Sequence, residues 1–318
     1  MYKSFFGLRE NPFNANPDPR YLFLTREIQE ALAGLAYGIK NRKGFILLTG
    51  EVGTGKTTLL NRLLDWLNLE GVATAYVFNS QLDTSQLFDF MMADFGIPCE
   101  SRDKSHVLMR LNHWLLQRYR DRKTSVLIID EAQNLSFEVL EEIRLLTNFE
   151  TASEKLLQIV LSGQPELEEK LRDPRLRQLR QRITMRCRTQ PLSHDEMTGY
   201  INERLRIGGA NGTPIFSPEA IEAIYKYSRG IPRVANLLCE NSLINSFVDQ
   251  VKPVPSNVVH EAAHDFELDE LDPMARPVVH SAEDTSKTVE GLLRSLNHLL
   301  EEMGHNNSVT NGIHERKP

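Results

Sequence analysis

Residues 47–64 read "LLTGEVGTGKTTLLNRLL". Within them, Gly50 to Thr57 fit G-x-x-x-x-G-K-[ST] at every fixed position. The context agrees. An apolar run, "GFILLTG" at 44–50, precedes the match and a helical pattern over 56–69 follows it. That is the strand–loop–helix order a phosphate loop requires. Gly53 and Gly55 let the backbone turn its N–H groups toward phosphate oxygens, and the helix N-terminus adds a favourable dipole. Gly50, Glu51, Val52, Gly53, Thr54, Gly55, Lys56, Thr57 and Thr58 are therefore expected to wrap the phosphates of a nucleotide. Lys56 would reach the β- and γ-phosphates, and the Thr57 hydroxyl a magnesium ion.

A second stretch carries the complementary chemistry. "SVLIIDEAQNL" at 125–135 ends an apolar run on two carboxylates. Asp130 would hold magnesium, directly or through water. Glu131 would orient and polarise an attacking water. An acidic strand end that merely opens a loop is the plainer reading, and the phosphate loop at another strand tip outweighs it. No Asn-Lys-x-Asp element is present to read guanine. Adjacent Asp and Glu favour water over a small-molecule acceptor. ATP with Mg2+ is thus the expected pairing, and hydrolysis to ADP and phosphate the expected reaction.

Other apolar runs at 73–79, 156–163 and 182–188 read as strands, separated by helix-length patterns such as 84–95, 105–120 and 136–148. Nearly continuous apolar strands alternating with helices predict a parallel five-stranded α/β sheet with helices on both faces. After Pro191 the pattern is helical only. Ser193 and Glu196 form a capping box, Ser217 and Pro218 start another helix, and further helices are expected over 232–250 and 256–267. The expected organisation is an α/β nucleotide-binding domain with an N-terminal extension over 1–191 and a small all-α lid over 192–267. An acidic linker over 268–287, an amphipathic helix over 288–304 and a disordered tail over 305–318 follow. Val289, Leu292, Leu293, Leu296, Leu299, Leu300 and Met303 fall at helical spacing, to dock on their own domain or to bind a partner.

The bulk numbers set limits. The chain has 318 residues, 41% hydrophobic and 25% charged, with a net charge of −6. Overall charge therefore gives no sign of nucleic-acid or anionic-membrane binding, although a local basic patch remains open. No apolar run approaches the roughly 18–20 residues that span a bilayer. The N-terminus lacks the apolar core and cleavage site of a signal peptide. Cys99, Cys187 and Cys239 are scattered, which suggests reduced thiols. The expected location is cytoplasmic, or peripheral at the inner membrane.

Three further stretches narrow the reading. "LSGQPEL" places Ser162 and Gln164 at a strand end, where a polar side chain could touch the γ-phosphate or the attacking water. "RDPRLRQLRQRITMRCR" carries seven arginines between Arg172 and Arg188. "GIPR" puts Arg233 at the start of a helix. In this order, with the phosphate loop and Asp130–Glu131, the chain resembles the AAA+ ATPases. That resemblance implies an α/β nucleotide domain, a helical lid, and a homo-oligomer in a ring or hexamer. It also implies site roles. Gln164 or Ser162 resembles sensor 1, and Arg233 resembles sensor 2. Arg182, with Arg180 next, resembles the arginine finger offered to a neighbouring subunit. Asn79 sits where the family often restrains the catalytic Glu. A solvated basic helix and a nucleic-acid surface are the other readings of the arginine run.

The N-terminus narrows the match further. Its Phe-Phe-Gly-Leu at 5–8, Pro-Phe at 12–13 and Pro-Asp-Pro at 17–19 resemble the start of the ExeA-type, or general secretion pathway protein A, ATPases. Leu127–Leu135 and Gly163–Leu167 match elements that recur there. The likeness covers roughly residues 1–267 and implies an ATPase that helps assemble or operate an envelope secretion or export complex. Members of that type continue into a transmembrane helix and a peptidoglycan-binding domain, whereas this sequence ends after the short amphipathic stretch. A DNA-binding transposition helper is the alternative function. "HEAAH" at 260–264 matches H-E-x-x-H, with His260 and His264 as zinc ligands and Glu261 as base. Val259, Ala262, Ala263 and Phe266 instead read as the buried stripe of a helix that the two histidines flank.

Overall fold

The computed structural model describes residues 2–78, 81–98 and 103–268. Asn79, Cys99 and the expectations for residues 269–318 lie outside the described residues. The chain opens with α1 (Tyr2–Phe6) and α2 (Arg26–Lys40), then β1 (Phe45–Thr49), α3 (Lys56–Leu69), β2 (Ala73–Val77), α4 (Thr84–Asp94) and α5 (Lys104–Arg120). It continues with β3 (Ser125–Ile129), α6 (Phe137–Leu146), β4 (Leu157–Gly163), α7 (Pro165–Lys170), α8 (Arg177–Arg182) and β5 (Ile183–Arg188). Four longer helices follow: α9 (His194–Ile207), α10 (Pro218–Ser228), α11 (Pro232–Val248) and α12 (Ser256–Asp265).

The five strands form one parallel sheet in the order β2-β3-β4-β1-β5. Alternate residues supply two cores. Phe45, Leu47, Leu127, Ile129, Ile159 and Leu161 point to one face, under α4 to α8. Ile46, Leu48, Val126, Ile128 and Val160 point to the other, under α2 and α3. That is why the strands read as unbroken apolar runs: both faces are covered. Each fully buried Leu or Ile contributes about 1.5–3 kcal/mol of burial free energy. The sheet centre, with Ile46, Leu47, Leu127 and Ile128 all 0% exposed, is therefore the rigid floor of the molecule.

The helices α9 to α12 enclose a third core, which includes Met197, Ile201, Leu238 and Val259. The Ser193–Glu196 capping box starts α9 as expected, with the Ser193 amide donating to Glu196 at 2.8 Å. The N-terminal extension takes an unexpected place. Grouped from its position in sequence with the α/β part, it packs Phe6, Leu8 and Phe13 into the helical core instead. Its aromatics find their apolar partners there, and Phe13 meets Phe216 edge-on with centroids 6.1 Å apart. Among the described residues no helix is long and apolar enough to cross a membrane.

Two local expectations shift. Residue 182 was grouped with the fifth strand, but Arg182 closes α8 and the strand starts at Ile183. The helices α1, α2, α7 and α8 stand beyond the elements read from periodicity. All but α2 are six residues or shorter, too brief to display a 3.6-residue stripe.

Candidate functional site

Parallel strands bring their carboxyl ends to one edge of the sheet, where open α/β sheets place their ligands. The loop 50–55 leaves β1 at that edge. Gly53 and Gly55 have φ of +80° and +94°, a left-handed conformation that needs glycine. Gly55 directly precedes α3, so the loop ends on a helix N-terminus. Lys56 lies against this loop, only 5% exposed, and its ammonium donates to the carbonyls of Gly50 (2.8 Å) and Glu51 (3.0 Å). Burial pulls its pKa down, while the carboxylates of Glu131, Asp130 and Glu51 work in the opposite direction.

Asp130 follows β3 and is the centre of the polar cluster. Its Oδ2 accepts the Thr57 hydroxyl at 2.9 Å and that of Tyr76 at 3.3 Å. Its Oδ1 accepts the Ser162 hydroxyl at 2.7 Å and the Glu131 amide at 3.0 Å. Burial and the Asp130 charge raise the Tyr76 phenol's pKa, so this hydroxyl stays a donor. A carboxylate flanked by a threonine hydroxyl at the start of a phosphate-loop helix is a donor set suited to a hard divalent cation.

Glu131 has φ +52°, a left-handed conformation that costs a non-glycine residue about 1–3 kcal/mol and often marks functional positions. Its Oε2 accepts from two amides, Gln133 Nε2 at 2.6 Å and Gln164 Nε2 at 3.2 Å. The Gln164 backbone N–H closes the ring by donating to Gln133 Oε1 at 3.1 Å. The two residues left open as sensor 1 thus divide between the two acids: Ser162 holds Asp130 and Gln164 holds Glu131. Gln133 was missed, although it stands two residues after Glu131. Tyr76, half-buried on β2, was missed because nothing local to it tells which strand pairs beside it.

Arg233 stands in the first turn of α11, and its backbone amide donates to the Gly53 carbonyl at 3.2 Å. The helical part therefore touches the phosphate loop directly. Arg182 and Arg180 lie away from this cluster. The Arg182 guanidinium donates to the Thr147 hydroxyl, while the Arg180 side chain is exposed.

A cleft of about 820 Å³ opens from loop residues 52–58 and Glu131 toward the helical part. Its far wall joins the N-terminal extension to α9 and α11. Glu240 accepts from the Tyr2 hydroxyl at 3.0 Å and from Asn11 Nδ2 at 2.9 Å. Arg204, 6% exposed, donates to the carbonyls of Pro12 (2.5 Å) and Asn14 (3.4 Å) and to the Tyr200 hydroxyl (3.0 Å). Its guanidinium also lies 4.6 Å from the Tyr21 ring centroid. On α12, His260 Nδ1 meets the Tyr227 hydroxyl at 2.8 Å, and Val259, Ala262 and Ala263 are buried.

Residues 39–171 match the AAA domain family. General secretion pathway protein A of Aeromonas hydrophila is 46% identical over 248 residues, which are 78% of this chain and 45% of that protein. The chain thus spans less than half of that relative's length. Among solved structures, the ORC2 protein of Aeropyrum pernix superposes with a TM-score of 0.60 at 18% identity, over 83% of this chain and 75% of that one. Cdc6p from Pyrobaculum aerophilum gives 0.60 at 21% identity, over 76% and 66%. The RuvB Holliday junction branch migration motor of Thermotoga maritima gives 0.55 at 18%, over 82% and 76%. At those identities the structural likeness speaks to the fold. Phosphate loop, strand order and sequence likeness together place the chain among the AAA+ proteins, in the type of general secretion pathway protein A.

Proposed function

We propose that this chain is an oligomeric ATPase whose ATP hydrolysis assists the assembly or operation of a bacterial envelope secretion complex. The observation that carries the ATPase reading is the joint placement of Lys56, Thr57, Asp130 and Glu131 at one end of the sheet. Gly50 to Thr58 cradle the phosphates. Lys56 leaves the Gly50 and Glu51 carbonyls, to which it is bonded at 2.8 and 3.0 Å, and turns to the β- and γ-phosphates. Thr57 and Asp130 would hold Mg2+, which neutralises phosphate charge when bound. Glu131 keeps one carboxylate oxygen on the two glutamine amides and has the other to take a proton from the attacking water. Ser162 fixes Asp130, Gln164 fixes Glu131, and Asn79 is assigned a further restraint on Glu131. Arg233, beside Gly53, reaches the γ-phosphate from the lid formed by residues 192–267.

The finger to a neighbouring copy is assigned to the run ending α8. Arg182 is tied to Thr147 within its own subunit, and the exposed Arg180 is the better placed of the two. A finger in trans supplies roughly 10³–10⁵ in rate, which makes turnover depend on assembly. The secretion role is carried from the Aeromonas relative's name, with the chain in the cytoplasm or at the inner membrane's cytoplasmic face. The test is phosphate release by purified protein across a concentration series. Turnover should rise with assembly, disappear in Lys56→Ala, and drop more in Arg180→Ala than in Arg182→Ala. Absence of ATP binding by the wild type would end the ATPase reading. Steep, salt-sensitive stimulation by duplex DNA would replace the secretion role with the DNA-binding one.

A further inference from the structure

The segment 188–192 leaves edge strand β5, passes the foot of the phosphate loop and enters the helical part. Thr189 is its buried polar member, 3% exposed. Its backbone N–H donates to the Thr49 carbonyl at 2.9 Å, and its hydroxyl lies 2.7 Å from the Thr54 hydroxyl. A Cβ on Gly50 would lie 2.0 Å from the Thr189 hydroxyl oxygen, so the side chain is pressed against the loop's first residue. Thr189 therefore touches residues 49, 50 and 54, at both ends of the loop.

The direction of the hydroxyl pair follows from counting protons. Thr54 has one hydroxyl proton, directed at the Glu51 carbonyl at 2.8 Å. Thr189 must then be the donor to Thr54. The Glu51 carbonyl also accepts from Lys56 at 3.0 Å. When Lys56 turns toward phosphate, that carbonyl loses one partner. The Thr54 hydroxyl, oriented by Thr189, and the Thr54 amide at 3.3 Å stay on it, so the loop keeps its shape. The neighbouring residue braces the same foot: Arg188 donates to Glu168 at 3.0 Å, and Glu168 accepts the Thr49 hydroxyl at 2.7 Å. On the far side, the Leu192 amide donates to the Gly230 carbonyl at 2.8 Å, three residues before Arg233.

We propose that Thr189, outside the phosphate-loop consensus, is a positioning residue for nucleotide binding, holding the loop in its receiving shape through its hydroxyl bond to Thr54. The inference rests on the ATP-binding reading above. Thr189→Val keeps the shape and removes the donor, and Thr189→Ser keeps the donor. Affinity is read by titration with a fluorescent ATP analogue, with steady-state KM and kcat and a melting curve for each variant.

Thr189→Val should weaken binding and raise KM about three- to tenfold, the loss expected for one neutral hydrogen bond. Its kcat at saturating ATP should stay within about twofold, as for lost ground-state binding. Thr189→Ser should bind as the wild type does. Wild-type affinity in Thr189→Val overturns the proposal, and so does a Thr189→Ser variant as weak as Thr189→Val. If Thr189→Val does not fold, Thr189→Ala carries the same test, and failure of both assigns Thr189 to packing and ends the proposal. Failure of the wild type to bind ATP at all overturns the underlying reading instead. Wild-type binding that Lys56→Ala loses and Thr189→Val keeps overturns only the role of Thr189.

Discussion

On the phosphate side of the cleft, Asp130 gathers the Thr57 hydroxyl, the Ser162 hydroxyl and the Glu131 amide within 3.0 Å. On the opposite side, Glu240 meets Tyr2, and Arg204 meets Pro12, pairs separated by 238 and 192 residues in the chain. The first wall is assembled at the ends of adjacent strands and the helix after β1. Strand register and the start of α3 place its polar groups, and short motifs encode them. The second wall forms only after the N-terminal extension has folded back onto α9 and α11. Its polar groups sit among aromatic rings, where an unmatched partner costs most. The first wall should therefore govern rate, and the second stability and access.

The largest expected effect tests the rate side. Glu131→Gln should lower turnover about 10²–10⁴-fold with ATP binding retained. Phosphate release and nucleotide titration on the same sample check this. Turnover within about tenfold of wild type would place the base elsewhere and remove the contrast between the walls.

The stability side comes next. Arg204→Ala strips donors from two carbonyls and a phenol at once. It should cost about 2–4 kcal/mol in denaturant unfolding, with the N-terminal extension the first part to gain hydrogen exchange. A cost below about 1 kcal/mol would show that the apolar packing of Phe6, Leu8 and Phe13 holds the extension without it. A smaller change is expected on the phosphate side. Ser162→Ala leaves Asp130 Oδ1 with the Glu131 amide alone, and should cost about 1–2 kcal/mol. Equal costs for Arg204→Ala and Ser162→Ala would erase the distinction drawn between the walls.

The same contrast explains what the sequence made legible. Gly50–Thr58, Asp130 and Glu131 were readable because a phosphate loop and a strand-end acid pair are local in sequence. Ser162 and Gln164 were readable as a pair, but which acid each holds depends on the register of β3 against β4. The sheet was readable from its apolar runs, and the capping box of α9 from Ser193 and Glu196. The place of the extension was not. Phe6, Leu8 and Phe13 are apolar whichever core receives them, and nothing local says that it is the helical one. Thr147 could not be foreseen as the partner of Arg182, since α6 and α8 meet only in the folded molecule. Gln133 was visible within "DEAQ", and only the left-handed turn at Glu131 brings its amide back to that carboxylate.

The smallest effect concerns Glu240, and it asks how firmly the far wall is set. Burial raises this carboxyl above its ordinary value of 4.5, against the downward pull of the Tyr2 and Asn11 donors. The native protein thus keeps the Glu240 proton to higher pH than the unfolded chain does. Between the two pKa values the unfolded state binds fewer protons, so this group's contribution to stability falls as pH rises through that window and stays low above it. Glu240→Gln removes the titration while keeping an oxygen for one of the two donors. Its melting temperature should therefore rise relative to wild type as pH is raised through and above the ordinary carboxyl value of 4.5. An unchanged difference across that range would mean that Tyr2 and Asn11 fully offset the burial. The far wall would then be as well satisfied in its polar groups as the phosphate side.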